Sequence, residues 1–579
     1  MNLLDPAFAQ PGFKWNETTA RHLLNRAGFG VPPAAIARLA AMKPADAVSA
    51  FVDYEKLPDV AEAPPTDLPQ RFSYRELRQT VATMTEEEKR KFRQEKQREA
   101  REAMVGLESW WINRMRVSQR PLEEKLTLFW HGHFATSAEK VKEPQANLQL
   151  NQLFRSNASA NFDQLTRAVG KSAAMMRYLD QIQSSRQHPN ENWARELMEL
   201  FTLGIGHYTE NDIKEGARAF TGWADRDGEF MFDSRRHDDG QKTFLGQTGN
   251  FDGDKIIDII MAQPACAEFI SKKLWKFFAY DDPEPEVVTG LAETMRKNKY
   301  EIKPVLRQMF SSQAFYQDKA MHSQVKSPSQ LVVNLMVQLD APVDSKPPVA
   351  QLAMRAMGQA LFFPPNVKGW DGGKAWINTN TLLIRYNFAN YLVSGVVPSF
   401  GQFGKNDGGK NLKQGAKQLA RLQGRDGADA SPESMSNNDG MASGKMIMMG
   451  DDGAMKPEVE KNAPAGQDAM PKDIPSKSLY QALEQHHTNN FQTRAMQRAP
   501  FKARDFFKQF EGKNADQIID GLTAFFIGFP LEPAQREKLK NVMAQAVPPG
   551  KPVPVDRIAE EDLRATVQLL LSTAEYQVC

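Results

Sequence analysis

Two glutamates one helical turn apart, Glu196 and Glu199, are the first residues of this chain that could do chemistry. Side chains at i and i+3 of a helix sit about 5–6 Å apart, so two carboxylates there converge on one point. Such a pair can serve as a general base or as oxygen ligands. Three histidines lie in other segments: His131 and His133 within HGH, and His237, followed by Asp238, within HDDG. Imidazole nitrogen with carboxylate oxygen is a donor set for zinc or non-haem iron, so a divalent metal is the cofactor these residues would take. On a helix, i and i+2 point about 200° apart, so Gly132 must break the helix for His131 and His133 to share an ion. Otherwise one ring packs and the other caps. Arg195 or Lys242 would hold an anionic group of the substrate. Zinc would make the reaction a hydrolysis, whereas redox chemistry needs iron or copper. The same letters permit a structural use: Glu191, Arg195 and Glu199 at i, i+4 and i+8 form a salt-bridged strip that leaves Glu196 unpaired.

The carboxylates must be positioned by HPNENWARELMELFTLGIGHYTENDIKEGARAFTGW, residues 188–223. Asn190 caps a first helix, with Glu191 in the first turn favoured by the helix dipole. Trp193, Leu197, Leu200 and Phe201 make one apolar stripe, while Asn192, Glu196 and Glu199 occupy another face. Gly204 ends this helix; Thr209 caps the next, with Ile213, Ala217 and Phe220 inside and Gly222 closing it. Pro121 starts the helix that carries the two histidines of HGH. One small β hairpin near residues 228–245 is expected to carry His237, Asp238 and Lys242, with Asp239–Gly240 as its turn. In PPNVKGWDGGKAWINTN, Trp370 and Trp376 flank a tight glycine loop. Two such aromatic faces bury area in a core or interface, or stack against a sugar or flat ligand.

The rest of the chain reads as a mostly α, multi-helical array. Residues 1–14 are an irregular arm and 15–395 the main helical domain, with the central helix pair at 190–222. Within it, 274–317 is a helical unit whose letters recur at the C-terminus. Phe277–Phe278, Glu284, Pro285, Leu291 and Met295 return at identical spacing as Phe525–Phe526, Glu532, Pro533, Leu539 and Met543. Repeated core letters imply repeated packing. Between the copies, 401–476 is rich in Gly, Asp and Met, too poor in buryable side chains to fold, and is expected to be a disordered linker. Residues 477–579 form the C-terminal helical unit, expected to pack on the main domain.

Composition narrows the partners. The 579 residues carry a net charge of only +2, from 73 basic and 71 acidic side chains, so neither nucleic acid nor an acidic membrane surface is the main partner. Two cysteines exclude a disulfide framework and a Cys-rich zinc site. No run of about 18 apolar residues occurs, so no membrane span is expected. The opening MNLLDPAFAQPGFKW lacks the marks of an export signal, which predicts a soluble, cytoplasmic protein. A processed N-terminus, or carriage by a partner, would make it periplasmic.

LTLFWHGHFATS, the segment at 188–223, HDDGQKTFLG with KKLWKFFAY, and PNVKGWDGGKAWINTN occur in that order. Together they resemble a widespread bacterial family known as a domain of unknown function, DUF 1800. The resemblance runs from about Trp15 to Asn390 and resumes in the last hundred residues. The family motif positions matched here are His131, His133, Asn190, Glu191, Asn192, Arg195, Glu196, Glu199, Arg218, Trp223, His237, Asp238 and Lys242. Asn190, Glu191, Asn192, Arg218 and Trp223 become candidate binding residues on that ground, joined by Trp370 and Trp376. The resemblance also implies a partner: members are commonly encoded beside a sulfatase-like protein exported by the twin-arginine route.

Three functions fit these residues. The first is an enzyme with a His/carboxylate polar pocket, a metal-dependent hydrolase. The second is a non-catalytic helical scaffold that assembles with the sulfatase-like partner. The third is carbohydrate binding through Trp370 and Trp376.

Overall fold

Prolines and short polar caps set the helix starts. Pro121, Pro144, Pro264, Pro285 and Pro328 each stand in a first turn, where a missing N–H costs nothing. Asn16, Asn161, Thr209 and Asp252 each accept a backbone N–H at theirs. In a computed structural model these helices build almost the whole fold, with two separate two-stranded sheets. The structure describes residues 2–30, 33–69, 74–344, 348–396, 500–544, 551–552 and 554–579. The whole of the 401–476 stretch expected as a linker, and residues 477–499 of the C-terminal unit, lie outside the described residues. Met1–Pro398 and Gln497–Cys579 belong to one unit.

The centre of this unit is the helix Pro121–His133, buried at every position except Pro121 and Gly132. Trp130 packs there among Phe129, Phe134 and Phe162. A helix buried all round must also satisfy its charges. Glu124, at 0% exposure, does so by accepting from Arg114 at 2.7 Å, from Arg155 at 2.7 and 3.0 Å, and from the Trp111 indole at 3.1 Å. That network ties Glu86–Val117 and Pro144–Ser156 to the central helix.

Two hairpins, rather than the single one expected, follow the central helix pair. Trp223–Arg226 pairs with Glu229–Phe232, and Lys242–Phe244 with Gln247–Gly249. Their turns are Asp227–Gly228 and Leu245–Gly246, all four residues at positive φ. Asp239–Gly240 lies in the connection between them, where Asp238 takes the Gly240 N–H at 2.8 Å. Asp–Gly marked a turn, but the flanking apolar letters did not say which strands it joined.

The two stretches with shared letters each hold three helices and end in a 3-10 turn, the second with a further 3-10 turn at Val555–Arg557 before its last helix. The first is Pro264–Phe278, Pro285–Lys297, Ile302–Ser311 and Ala314–Tyr316; the second is Ala515–Phe526, Pro533–Ala544, Glu560–Leu571 and Glu575–Gln577. The chain end pairs with the main body: Lys326 N–H donates to the Gln577 carbonyl and Cys579 N–H to that of Gln324, both at 2.9 Å. The arm at 2–14 is tied down too, with Gln313 and Ala314 N–H groups donating to the carbonyls of Asp5 and Leu3. Among the described residues no helix is long and apolar enough to cross a membrane.

Candidate functional site

The segment that carries the glutamates starts as expected and then changes pitch. Asn190 caps Glu191–Glu196 by accepting the Asn192 N–H at 2.8 Å, and its own amide donates to the carbonyls of Asp180 at 3.0 Å and Leu179 at 3.3 Å. The Asn192 amide reaches the same Leu179 carbonyl at 3.4 Å. Asn190 and Asn192 therefore fix where the helix begins. From Leu197 to Thr202 the helix widens to a π turn, and the N–H groups of Leu203 and Gly204 both donate to the Met198 carbonyl at 2.9 Å. π turns recur at functional sites because they aim side chains that a regular helix would not.

The carbonyls left over at the end of this turn are taken by side chains from other helices. Lys273 donates to the Leu200 carbonyl at 2.9 Å, and His133 Nε2 lies 3.0 Å from that of Phe201. Facing a carbonyl, Nε2 must carry the proton, which leaves Nδ1 to accept from the Lys273 ammonium at 3.3 Å. Burial, then the Lys273 charge, hold the His133 pKa well below its usual value, and burial lowers Lys273 to about 8. Both nitrogens of His133 are thus occupied within the protein.

Glu196 and Glu199 project from this segment, each half-buried. Burial, and next the charge of Glu199, push the Glu196 carboxyl up to about 7, against the pull of Arg195 and Lys368. Glu199 accepts the Tyr208 hydroxyl at 3.0 Å. Burial and the Glu199 bond raise Tyr208 to about 12. Burial, and next the charge of Glu196, raise Tyr178 to about 12 as well. Glu196 is thus linked to Glu199, Tyr178 and Lys368, and Glu199 to Tyr208. Sequence reasoning missed both tyrosines and Lys368. Tyr208 stands beside the Thr209 cap, and Lys368 in the tryptophan loop, but nothing local ties either to Glu196.

Arg195, whose charge also acts on Glu196, spends its hydrogen bonds on two other carboxylates. It forms a fork on Glu210 at 2.9 and 3.0 Å and reaches Glu191 at 3.2 Å. The strip expected from spacing is corrected in one member: Glu210 of the next helix replaces Glu199.

His131 is 1% exposed, with ring centroids of Trp111, Phe154, Phe362 and Trp370 at 4.9, 5.1, 5.2 and 6.5 Å. Neither ring nitrogen has a partner among the described residues. Burial, then the charge of Arg155, lower its pKa to about 3. Trp370 covers Gly132, a ring carbon standing 3.5 Å from where a Cβ would be. Gly369 has φ +89°, and a Cβ there would meet the Gly132 carbonyl oxygen at 2.1 Å, so the loop seats only because residue 369 is glycine.

The remaining candidates lie elsewhere, and the expected metal set is not brought together. His237 Nδ1 bonds the Thr221 carbonyl at 2.8 Å, and its ring packs on Phe232. Asp238 is held by the Arg218 guanidinium at 2.8 and 3.1 Å, which keeps its carboxyl below the usual range. Arg218 also bonds Glu215, at 3.0 Å. Lys242, 1% exposed, donates to the carbonyls of Asp238 at 2.6 Å and Gly240 at 3.0 Å. These groups brace the connection between the hairpins, and two of the three Lys242 donors are spent on its carbonyls. Among the described residues no group of three or more His, Cys, Asp or Glu is placed to hold a metal ion.

Two aromatic assignments are corrected as well. Trp223 is 2% exposed among Phe220 and Phe230, and Trp376 is 6% exposed against Gly358. Neither offers a face to a ligand, so Trp376 cannot make a stacking platform with the half-buried Trp370.

Comparison with the curated proteins and with the solved structures finds no match. The family model DUF1800, described as a protein of unknown function, matches residues 22–578, so the chain belongs to the DUF1800 family.

Proposed function

We propose that this protein is an acid–base enzyme that hydrolyses a polar substrate at the Glu196–Glu199 face, without the His/carboxylate metal centre expected from the spacing. The observation that carries this is the pair of unlike carboxyls one turn apart. Glu196 is pushed up to about 7, while Glu199 is engaged by the Tyr208 hydroxyl. Two carboxyls in unlike environments divide the roles of proton donor and proton acceptor. Near neutral pH Glu196 is poised between its two forms, where proton transfer is most effective. Glu196 donates a proton to the departing oxygen, and Glu199 draws one from the attacking water. Lys368, exposed at the edge, supplies a cation for charge that develops on the substrate.

The test is a panel of chromogenic esters, phosphoesters and glycosides, run with the wild type, Glu196→Gln and Glu191→Gln. Turnover lost in Glu196→Gln and kept in Glu191→Gln supports the assignment. Turnover that survives in Glu196→Gln, or that chelators abolish, counts against it.

A further inference from the structure

Four described histidines are almost wholly buried, and three of them hold a backbone carbonyl: His22 that of Phe315, His133 that of Phe201 and His237 that of Thr221. His131 differs, with both nitrogens unpartnered among the described residues. Buried polar atoms without partners call for an explanation. A phenylalanine would fill the cage of Trp111, Phe154, Phe362 and Trp370 without that cost. The Trp370 Nε1, which covers the cage, is unpartnered as well. The loop at 364–373 that carries Trp370 also carries Lys368, whose charge acts on Glu196. One loop therefore carries both a ring of the His131 cage and a cation whose charge acts on Glu196. It starts at two prolines and contains Gly369, Gly372 and Gly373; Asn366, Lys368, Asp371 and Gly372 are exposed.

We propose that His131 is a further binding residue of the carboxylate site, presented to a neutral carbonyl or hydroxyl of the substrate when the 364–373 loop lifts Trp370. The neutral class follows from the surroundings. The nearby Arg155 is committed to Glu124, Asn151 and Gln152, and all four rings around His131 are uncharged. An imidazole there offers one N–H and one lone pair. The assignment rests on the Glu196 reading, but its test does not use turnover.

Diethyl pyrocarbonate labels accessible neutral imidazoles, and mass spectrometry reads each histidine separately. Two variants unseat the loop by different routes: Trp370→Ala removes the cover, and Gly369→Ala places a Cβ against the Gly132 carbonyl. In both, labelling of His131 is expected to rise roughly tenfold or more through easier local opening, while His22, His133 and His237 stay as in the wild type. Unchanged labelling of His131 in both variants, or an equal rise at all four histidines, overturns the proposal. The ligand class is tested by saturation-transfer NMR on Gly369→Ala protein with acetamide and acetate as probes. Transfer to acetamide alone, lost in His131→Phe, is the expected result. Equal transfer to acetate, or none to either probe, overturns the class.

Discussion

Replacing Glu199 by glutamine removes a negative charge one turn from Glu196 and changes little else in volume. Burial and this charge, in that order, push the Glu196 carboxyl from its ordinary 4.5 to about 7. Two unit charges about 6 Å apart at an effective dielectric of about 20 interact by about 2.8 kcal/mol. Both carboxyls are half-exposed, and solvent and salt cut this to about 1.4 kcal/mol, or about one pH unit. The Glu196 midpoint in Glu199→Gln should therefore fall to about 6, the remainder being the burial that the variant keeps. The sign is fixed, since losing a like charge favours the ionised form. Carboxyl-selective 13C NMR on protein labelled at glutamate, with Glu196→Gln to assign the signal, reads both midpoints. A midpoint that rises or stays in place in Glu199→Gln would refute the coupling, and with it the division of labour between the carboxyls.

Three further outcomes follow from the buried network. Lys273→Met strips the donor from the Leu200 carbonyl and from His133 Nδ1, costing about 1–3 kcal/mol in denaturant titration; an unaltered midpoint would show that the π turn stands without it. Glu124→Gln leaves Arg114 and Arg155 without their shared buried carboxylate and should cost about 3–5 kcal/mol, where a loss under 1 kcal/mol would contradict the role given to Glu124. His131, with a folded pKa of about 3 against 6.5 unfolded, binds its proton more readily in the unfolded chain, so its stabilisation is present above pH 6.5 and lost as pH falls toward 3. His131→Phe should therefore gain on the wild type between pH 7 and pH 4; equal pH dependence in the two proteins would count against a buried neutral ring.

Local chemistry was legible in the letters, and long-range company was not. Asn190 and Thr209 cap the helices their types predict, and Gly222, at φ +85° with the Asp233 carbonyl 2.8 Å from its absent Cβ, closes the second helix because only glycine fits. Apolar spacing placed Trp193, Leu197 and Phe201 inside. The π turn could not be read, because it answers to Lys273 and His133 from other helices, which take carbonyls that periodicity counts as helical. Spacing likewise paired Arg195 with Glu199, whereas Glu210, brought alongside by the turn between the helices, offers the guanidinium two oxygens at once. His237 and Lys242 carried types suited to a metal or an anion, but their partners are carbonyls that only the hairpin connection brings near. Trp376 showed a large face in the sequence and spends it in the core.

The central claim is that Glu196 exchanges a proton near neutral pH. Isotope-edited infrared spectroscopy of the wild type, with Glu196→Gln subtracted, reads that carboxyl alone. A protonated C=O band present at pH 6 and gone at pH 8 is the predicted result. A carboxylate band at both pH values would contradict it.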